Sequence, residues 1–191
     1  MISITRKDES ITWEEIQSFL YECHESNSKK GIIYATKNQT VERLIEKQRN
    51  SECFVALDNN QLCGTITIEK RYINKYYHKG LVIYLKLLAV SPSYRGSGLS
   101  KRLIKLGEDI AKENNYNYII LDSAEKNYAL RKLVLNNGFV IIGAIKYSAN
   151  NFISTIYAKS LKKESFHIQF MHRINWIWNK LKFQIKQLLN S

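Results

Sequence analysis

Apolar positions recur along this chain with a period that changes from helix-like to strand-like and back. Ile2–Thr5 predicts a short first strand. Thr12 and Glu15 are spaced as a capping box, and Ile11 and Ile16 sit where a hydrophobic staple belongs. A helix follows through Ile16, Phe19 and Leu20 and is expected to end before Asn27. A second helix is expected over Thr40–Asn50, with Val41, Leu44 and Ile45 on one face. The period then drops to two. Glu52–Leu57 and Leu62–Lys70 flank Asp58-Asn59-Asn60-Gln61, a hairpin turn. In the second arm Leu62, Gly64, Ile66 and Ile68 share one face, and Cys63, Thr65, Thr67 and Glu69 the other. The basic stretch Arg71–Lys79, with His78 inside it, reads as a loop. Leu81–Val90 is apolar almost throughout, as in a strand buried on both faces.

Beyond Val90, helices and strands alternate. Leu99–Glu113 carries Leu99, Leu103, Leu106 and Ile110 on one stripe. Tyr116–Asp122 reads as a strand, and Asn127–Asn136 as a helix stopped by Asn137-Gly138. Phe139–Lys146 and Phe152–Lys159 read as a closing strand pair. Antiparallel strands followed by a βαβα segment predict an α/β mixed sheet with helices on both faces, occupying residues 1–159. Residues 160–191 lack glycine and proline, and Phe170, Ile174, Ile177, Leu181, Ile185 and Leu188 form a helical stripe. Lys162, Lys163, Arg173, Lys180, Lys182 and Lys186 outnumber Glu164 there, so the tail reads as a basic amphipathic helix.

Composition narrows the class. At 191 residues, 45% hydrophobic and 24% charged, the chain can bury a core and is not broadly disordered. Its formal charge of +12 favours anionic partners: phosphates, a membrane surface or nucleic acid. Cys23, Cys53 and Cys63 form no CxxC pair, which argues against a disulfide framework or a structural zinc and for a reducing compartment. The first residues are polar, and Lys86 interrupts the most apolar run, Gly80–Val90. A soluble, cytoplasmic protein is the expectation.

The richest segment chemically is Leu88-Ala89-Val90-Ser91-Pro92-Ser93-Tyr94-Arg95-Gly96-Ser97-Gly98-Leu99-Ser100. A strand ends, a proline stops its ladder, and a glycine-containing turn opens a helix. Such a turn offers consecutive backbone N–H groups and the positive end of a helix dipole to a phosphate or pyrophosphate. Ser97 and Ser100 add hydroxyls and Arg95 adds charge. The spacing fits neither GxxxxGK[ST] nor GxGxxG with a later acid.

Arg95–Ser100 resembles the [QR]xxGx[GA] loop of the GNAT superfamily of acetyl-CoA-dependent N-acetyltransferases, with Ser100 in the final position. Leu88-Ala89-Val90 resembles the strand before that loop, and Asn127 through Gly138-Phe139 resembles the family's "N…LY…GF" helix. The resemblance covers roughly Glu52 to Lys159. It implies a GNAT-like, largely antiparallel sheet whose central parallel pair, Leu81–Val90 and Tyr116–Asp122, splays to admit the pantetheine arm. It implies acetyl-CoA as co-substrate and no metal. Leu88, Ala89 and Val90 would offer backbone groups to the arm, Arg95, Gly96, Ser97, Gly98, Leu99 and Ser100 would hold the pyrophosphate, and Asn127 would touch the cofactor. The family's frequent acidic tyrosine falls on Val134, which cannot donate a proton. Tyr128 and Tyr147 are the candidate acids, unless the thiolate leaves unassisted; Asp122 and Glu69 are the candidate bases.

The expected reaction is direct acetyl transfer to a primary amine of a small molecule or amino sugar. The rivals are a non-catalytic acyl-CoA-binding regulatory module and, less favoured, a basic nucleic-acid-binding protein. For the tail, packing on its own domain or in a homodimer competes with peripheral contact at the inner face of a membrane, where Trp176 and Trp178 would suit the interface.

Overall fold

In the computed structural model, residues 1–34, 39–75, 78–148 and 150–162 are described. The expected helical tail lies beyond residue 162, outside the described residues. Strand β1 (Ser3–Arg6) leads into helix α1 (Trp13–Ser28), whose N-terminus carries the capping box: Glu15 N–H donates to Thr12 Oγ1 (3.1 Å) and Thr12 N–H to the Glu15 carboxylate (2.6 Å). Helix α2 (Val41–Gln48) is capped by Thr40. Then come β2 (Ser51–Asp58), β3 (Gln61–Lys75), β4 (His78–Val90), a short 3₁₀ turn (Pro92–Tyr94), α3 (Leu99–Glu113), β5 (Tyr118–Ala124), α4 (Tyr128–Asn136), β6 (Val140–Lys146) and β7 (Ile153–Ser160).

The seven strands form one sheet in the order β1-β2-β3-β4-β5-β7-β6. Every pair is antiparallel except β4 and β5, which run parallel. On one face Ile66, Ile68, Ile83, Leu85, Ile119 and Leu121 meet Leu99, Leu103 and Ile104 of α3 and Val134 of α4. The opposite face packs Val55 and Ala89 against Ile16, Phe19 and Leu20 of α1 and Leu44 of α2. Farther along that face lie Val82, Tyr84, Ile120 and Ile156.

The structure corrects several boundaries. Arg71–Lys79 is not a loop: Arg71 pairs with Val82, Ile73 with Gly80 and Lys75 with His78. Ile73 is buried, so the period-two face begun by Thr65, Thr67 and Glu69 continues beneath the basic residues that hide it in the sequence. Helix α1 runs past Asn27 to Ser28. Strand β5 extends to Ala124, because Ser123 and Ala124 keep partners in Thr155 and Ser154; Asp122 therefore lies inside the strand and not at its end. Strand β4 is not buried along its whole length, since Leu81 is 60% exposed while Val82–Leu85 are buried.

Candidate functional site

The site begins with an irregularity in β4. Thr65 pairs with Ala89 and Thr67 with Lys86, so Leu87 and Leu88 together oppose Ile66. Leu87 adopts φ +47°, a left-handed conformation that costs a non-glycine residue about 1–2 kcal/mol. Thr65 Oγ1 donates to the Leu87 carbonyl at 2.6 Å and holds the bulge. The parallel ladder between β4 and β5 ends at Leu85–Leu121, just before the bulge. A cleft of ≈ 360 Å³ follows, with Leu88, Ala89 and Val90 on one wall and Asn127, Leu130 and Leu133 of α4 on the other.

At the outer end of this cleft Gly96 (φ +83°) and Gly98 (φ +84°) turn the chain into α3. Gly98 is the N-cap and supplies no side chain, and Leu99 N–H meets only Ser97 Oγ at 3.4 Å. The first turn of α3 thus presents poorly satisfied donors, the arrangement that binds a phosphate. Leu99 is buried in the core, so only its backbone can serve a ligand. Ser97 Oγ donates to the Tyr94 carbonyl (2.7 Å), and Ser100 lines the cleft. The Arg95 guanidinium donates to the Cys23 carbonyl (2.9 Å) and Ser26 Oγ (3.4 Å), which ties the loop to the last turns of α1 and leaves a positive charge on the cleft wall.

A smaller cleft of ≈ 190 Å³ continues inward and shares His24, Leu88, Asn127 and Leu130 with the first. Asp122 reaches it from β5 and accepts a hydrogen bond from Tyr84 Oη at 2.6 Å. Arg71 stacks over the Tyr84 ring (4.0 Å) and grips Glu69 through two hydrogen bonds of 2.7 Å. Lys86 closes the network at 2.7 Å from Glu69 and also donates to the Lys47 carbonyl and Ser51 Oγ. Burial opposes ionisation of Glu69, yet hydrogen bonds from Arg71 and Lys86 outweigh it and hold the carboxyl below its usual pKa. Burial, and after it the Asp122 charge, pushes Tyr84 well above its usual value.

Of the four candidate catalytic side chains, Asp122, Glu69 and Tyr147 therefore belong to one network, Tyr147 through its hydrogen bond with Tyr84. Tyr128 stands apart, 69% exposed on the rim of the larger cleft. Val134 is fully buried and faces the core. Asn127 caps α4 through Oδ1, which accepts from Leu130 N–H, while its Nδ2 donates to Tyr34 Oη (3.0 Å) and Ser123 Oγ (3.3 Å).

Sequence reasoning missed Tyr34, His24, Ser123 and Ser154. Tyr34 lies between His24 (ring centroids 4.5 Å) and Phe152 (5.1 Å). Burial lowers His24 to about 4, with the Arg95 charge adding to the effect, so it is neutral at pH 7. Burial pushes the Cys23 thiol, at the cleft wall, up to about 12. The Ser154 hydroxyl lines the inner cleft with no hydrogen-bond partner among the described residues. The pairing of β5 with β7 (Asp122 with Ile156, Ala124 with Ser154) is what puts Ser154 and Asp122 on the same sheet face, and neither strand shows that register alone.

Residues 13–139 match the family model described as Acetyltransferase (GNAT) family. The chain is 28% identical over 88 residues to N-alpha-acetyltransferase 30 of Schizosaccharomyces pombe, a match covering 45% of this chain and 55% of that protein. The chain thus spans about half the length of this curated relative. An acetyltransferase of the GNAT family from Staphylococcus aureus Mu50 superposes with a TM-score of 0.63 at 20% identity, over 85% of this chain and 100% of that one. A chain of the NatC complex bound to Gag peptide and CoA superposes with a TM-score of 0.62 at 17% identity, over 84% of this chain and 99% of its own. Bulged β4, parallel ladder that stops short, glycine turn and family match agree: the chain belongs to the acetyltransferase (GNAT) family.

Proposed function

We propose that the protein is an acetyl-CoA-dependent N-acetyltransferase that passes the acetyl group directly to a primary amine. The observation that carries this reading is the cleft at the Leu87 bulge. Two adjoining clefts, sharing His24, Leu88, Asn127 and Leu130, lie between the donor-rich turn at Gly96–Leu99 and the carboxylate of Asp122. Nucleotide phosphates fit the first end, an amine the second, and the thioester the bulge between them. A backbone N–H that the bulge takes out of the ladder would stabilise the tetrahedral oxyanion.

Asp122 is the preferred base, acting directly or through water. Glu69 is engaged by Arg71 and Lys86, so it serves better as the counter-ion those two cations share. Direct transfer is favoured over a thioester on the protein, because the Cys23 thiol, raised to about 12, is not a thiolate at neutral pH. A small amine or amino sugar is the first reading for the acceptor. The modest volume of the inner cleft that Asp122 lines supports it. A second reading, the N-terminal amine of a polypeptide, is favoured by the likeness to N-alpha-acetyltransferase 30.

The test is turnover of acetyl-CoA with a panel of small amines, amino sugars and peptide N-termini. Turnover with one class assigns the acceptor. Calorimetric binding of acetyl-CoA without turnover of any amine points to the non-catalytic reading, and no binding at all overturns the proposal. Asp122→Asn is expected to lower kcat/KM about 10²-fold or more and to remove the acid limb of its pH profile. Glu69→Gln is expected to leave that limb in place.

A further inference from the structure

We infer that Tyr34 is the general acid of this site, placed by the segment after α1 and not by α4. The inference rests on the acetyl-transfer reading above and deepens it. Its hydroxyl lies in the inner cleft, in the gap opened where the parallel ladder of β4 and β5 ends. Asn127 Nδ2 donates to the Tyr34 oxygen at 3.0 Å, so an oxygen lone pair is occupied while the hydroxyl proton stays available. Its one other polar neighbour given by the structure is Ser123 Oγ, at a long 3.3 Å. His24 and Phe152 fix the ring from two sides.

The environment suits a donor. Burial raises the Tyr34 pKa above the usual value despite the hydrogen bonds with Ser123 and Asn127, so the phenol is protonated at neutral pH. His24, the titratable group stacked on it, titrates near 4 and is neutral there; Asp122 is the carboxylate facing the same cleft. Tyr128 is on the outer rim, and Tyr147 is bound up with Tyr84. Val134, the position where the family's tyrosine would fall, is sealed in the core.

The step balances as follows. The amine nitrogen forms a bond to the acetyl carbon, and the carbon–sulfur bond breaks with its electron pair passing to sulfur. The Tyr34 hydroxyl gives that sulfur its proton, yielding the free thiol. The amine proton leaves to Asp122 or water, and solvent returns a proton to the Tyr34 oxygen.

Tyr34→Phe keeps the ring between His24 and Phe152 and removes only the hydroxyl. With the wild-type protein turning over its amine, the variant is expected to lose at least tenfold in kcat while its acetyl-CoA affinity by calorimetry stays within twofold. A second readout needs no turnover. Binding of CoA to the wild type is expected to tighten as pH rises through about 8.5, where a free thiol ionises, because Tyr34 stabilises the thiolate. That tightening should be absent with desulfo-CoA and absent for CoA in Tyr34→Phe. An unchanged kcat, a kcat loss matched by an equal loss of acetyl-CoA affinity, or the same CoA pH dependence in both proteins overturns the assignment. If the wild type binds no CoA, the acetyl-transfer reading itself falls; if the wild type works and the variant matches it, this inference alone falls.

Discussion

Gly98 shows how much one backbone angle can carry. A Cβ there would meet nothing within 4 Å, so the whole cost of Gly98→Ala is the left-handed φ of +84°. That cost is about 1–2 kcal/mol. Relaxing it tilts the first turn of α3, and Gly98→Ala is expected to weaken CoA binding five- to thirty-fold by calorimetry and to lower the melting temperature by a few degrees. His24 makes a second prediction at this scale. Its folded-state pKa, about 4, lies below the ordinary 6.5, so the unfolded chain takes up the proton first as pH falls. The neutral imidazole contributes stability above pH 6.5 that is lost progressively down to pH 4. The loss is roughly 3 kcal/mol. Denaturant titrations at pH 7 and pH 4.5 should show the drop, and His24→Gln should shrink it. Glu69 has the same sign: its lowered carboxyl pKa means stability present above its unfolded value of 4.5 and lost as pH falls through the folded one. The two groups separate by window, since the His24 contribution starts to fade nearer neutrality.

At the level of elements, the bulge in β4 depends on a neighbour in β3. Thr65→Val keeps the shape but removes the donor to the Leu87 carbonyl, a group left without that partner in a partly buried position. A destabilisation of about 1–3 kcal/mol is expected in denaturant titration, with a higher KM for acetyl-CoA. Helix α3 depends equally on what it lies against: a Cβ on Gly107 would sit 2.6 Å from Leu85 Cδ2. Gly107→Ala gains helix propensity, up to about 1 kcal/mol, but overpacks a core at a cost of about 1–3 kcal/mol. A net fall of a few degrees in melting temperature is the expected outcome. These elements also show what a sequence carries. The stripe Leu99, Leu103 and the stop at Asn137-Gly138 are local signals, and α3 and the end of α4 fall where those signals put them. The phosphate-type turn was legible for the same reason. The Leu87 bulge was not, because it is defined by a mismatch between two strands that neither strand shows alone. Tyr34 was illegible in a similar way. It sits 93 residues from the Asn127 that orients it.

For the whole molecule, the sheet is a shared floor with separate tenants. Helices α1 and α2 hold one face, α3 and α4 the other, and the two clefts open where the central ladder gives out. The polar network of Glu69, Arg71, Tyr84, Lys86 and Asp122 ties β3, β4 and β5 together on the α1 side. On the α3 side, Lys159 of β7 bonds Glu108 at 2.7 Å and clamps the last strand to the helix. Removing that clamp with Lys159→Met is expected to cost stability through a nearly buried, unpaired Glu108, measurable as a lower urea midpoint at pH 7 than at pH 4 relative to wild type.

Strand β7 lies between β5 and β6, although it is made after both. During synthesis the floor of the domain therefore stays open until residues 153–160 have left the ribosome tunnel. A nascent chain emerged from the tunnel only as far as Phe152 would expose β6 with no partner beside it and β5 with a bare edge, and arrest there is expected to leave it protease-sensitive and reliant on chaperones. The arrival of β7, filling an interior slot, closes the sheet.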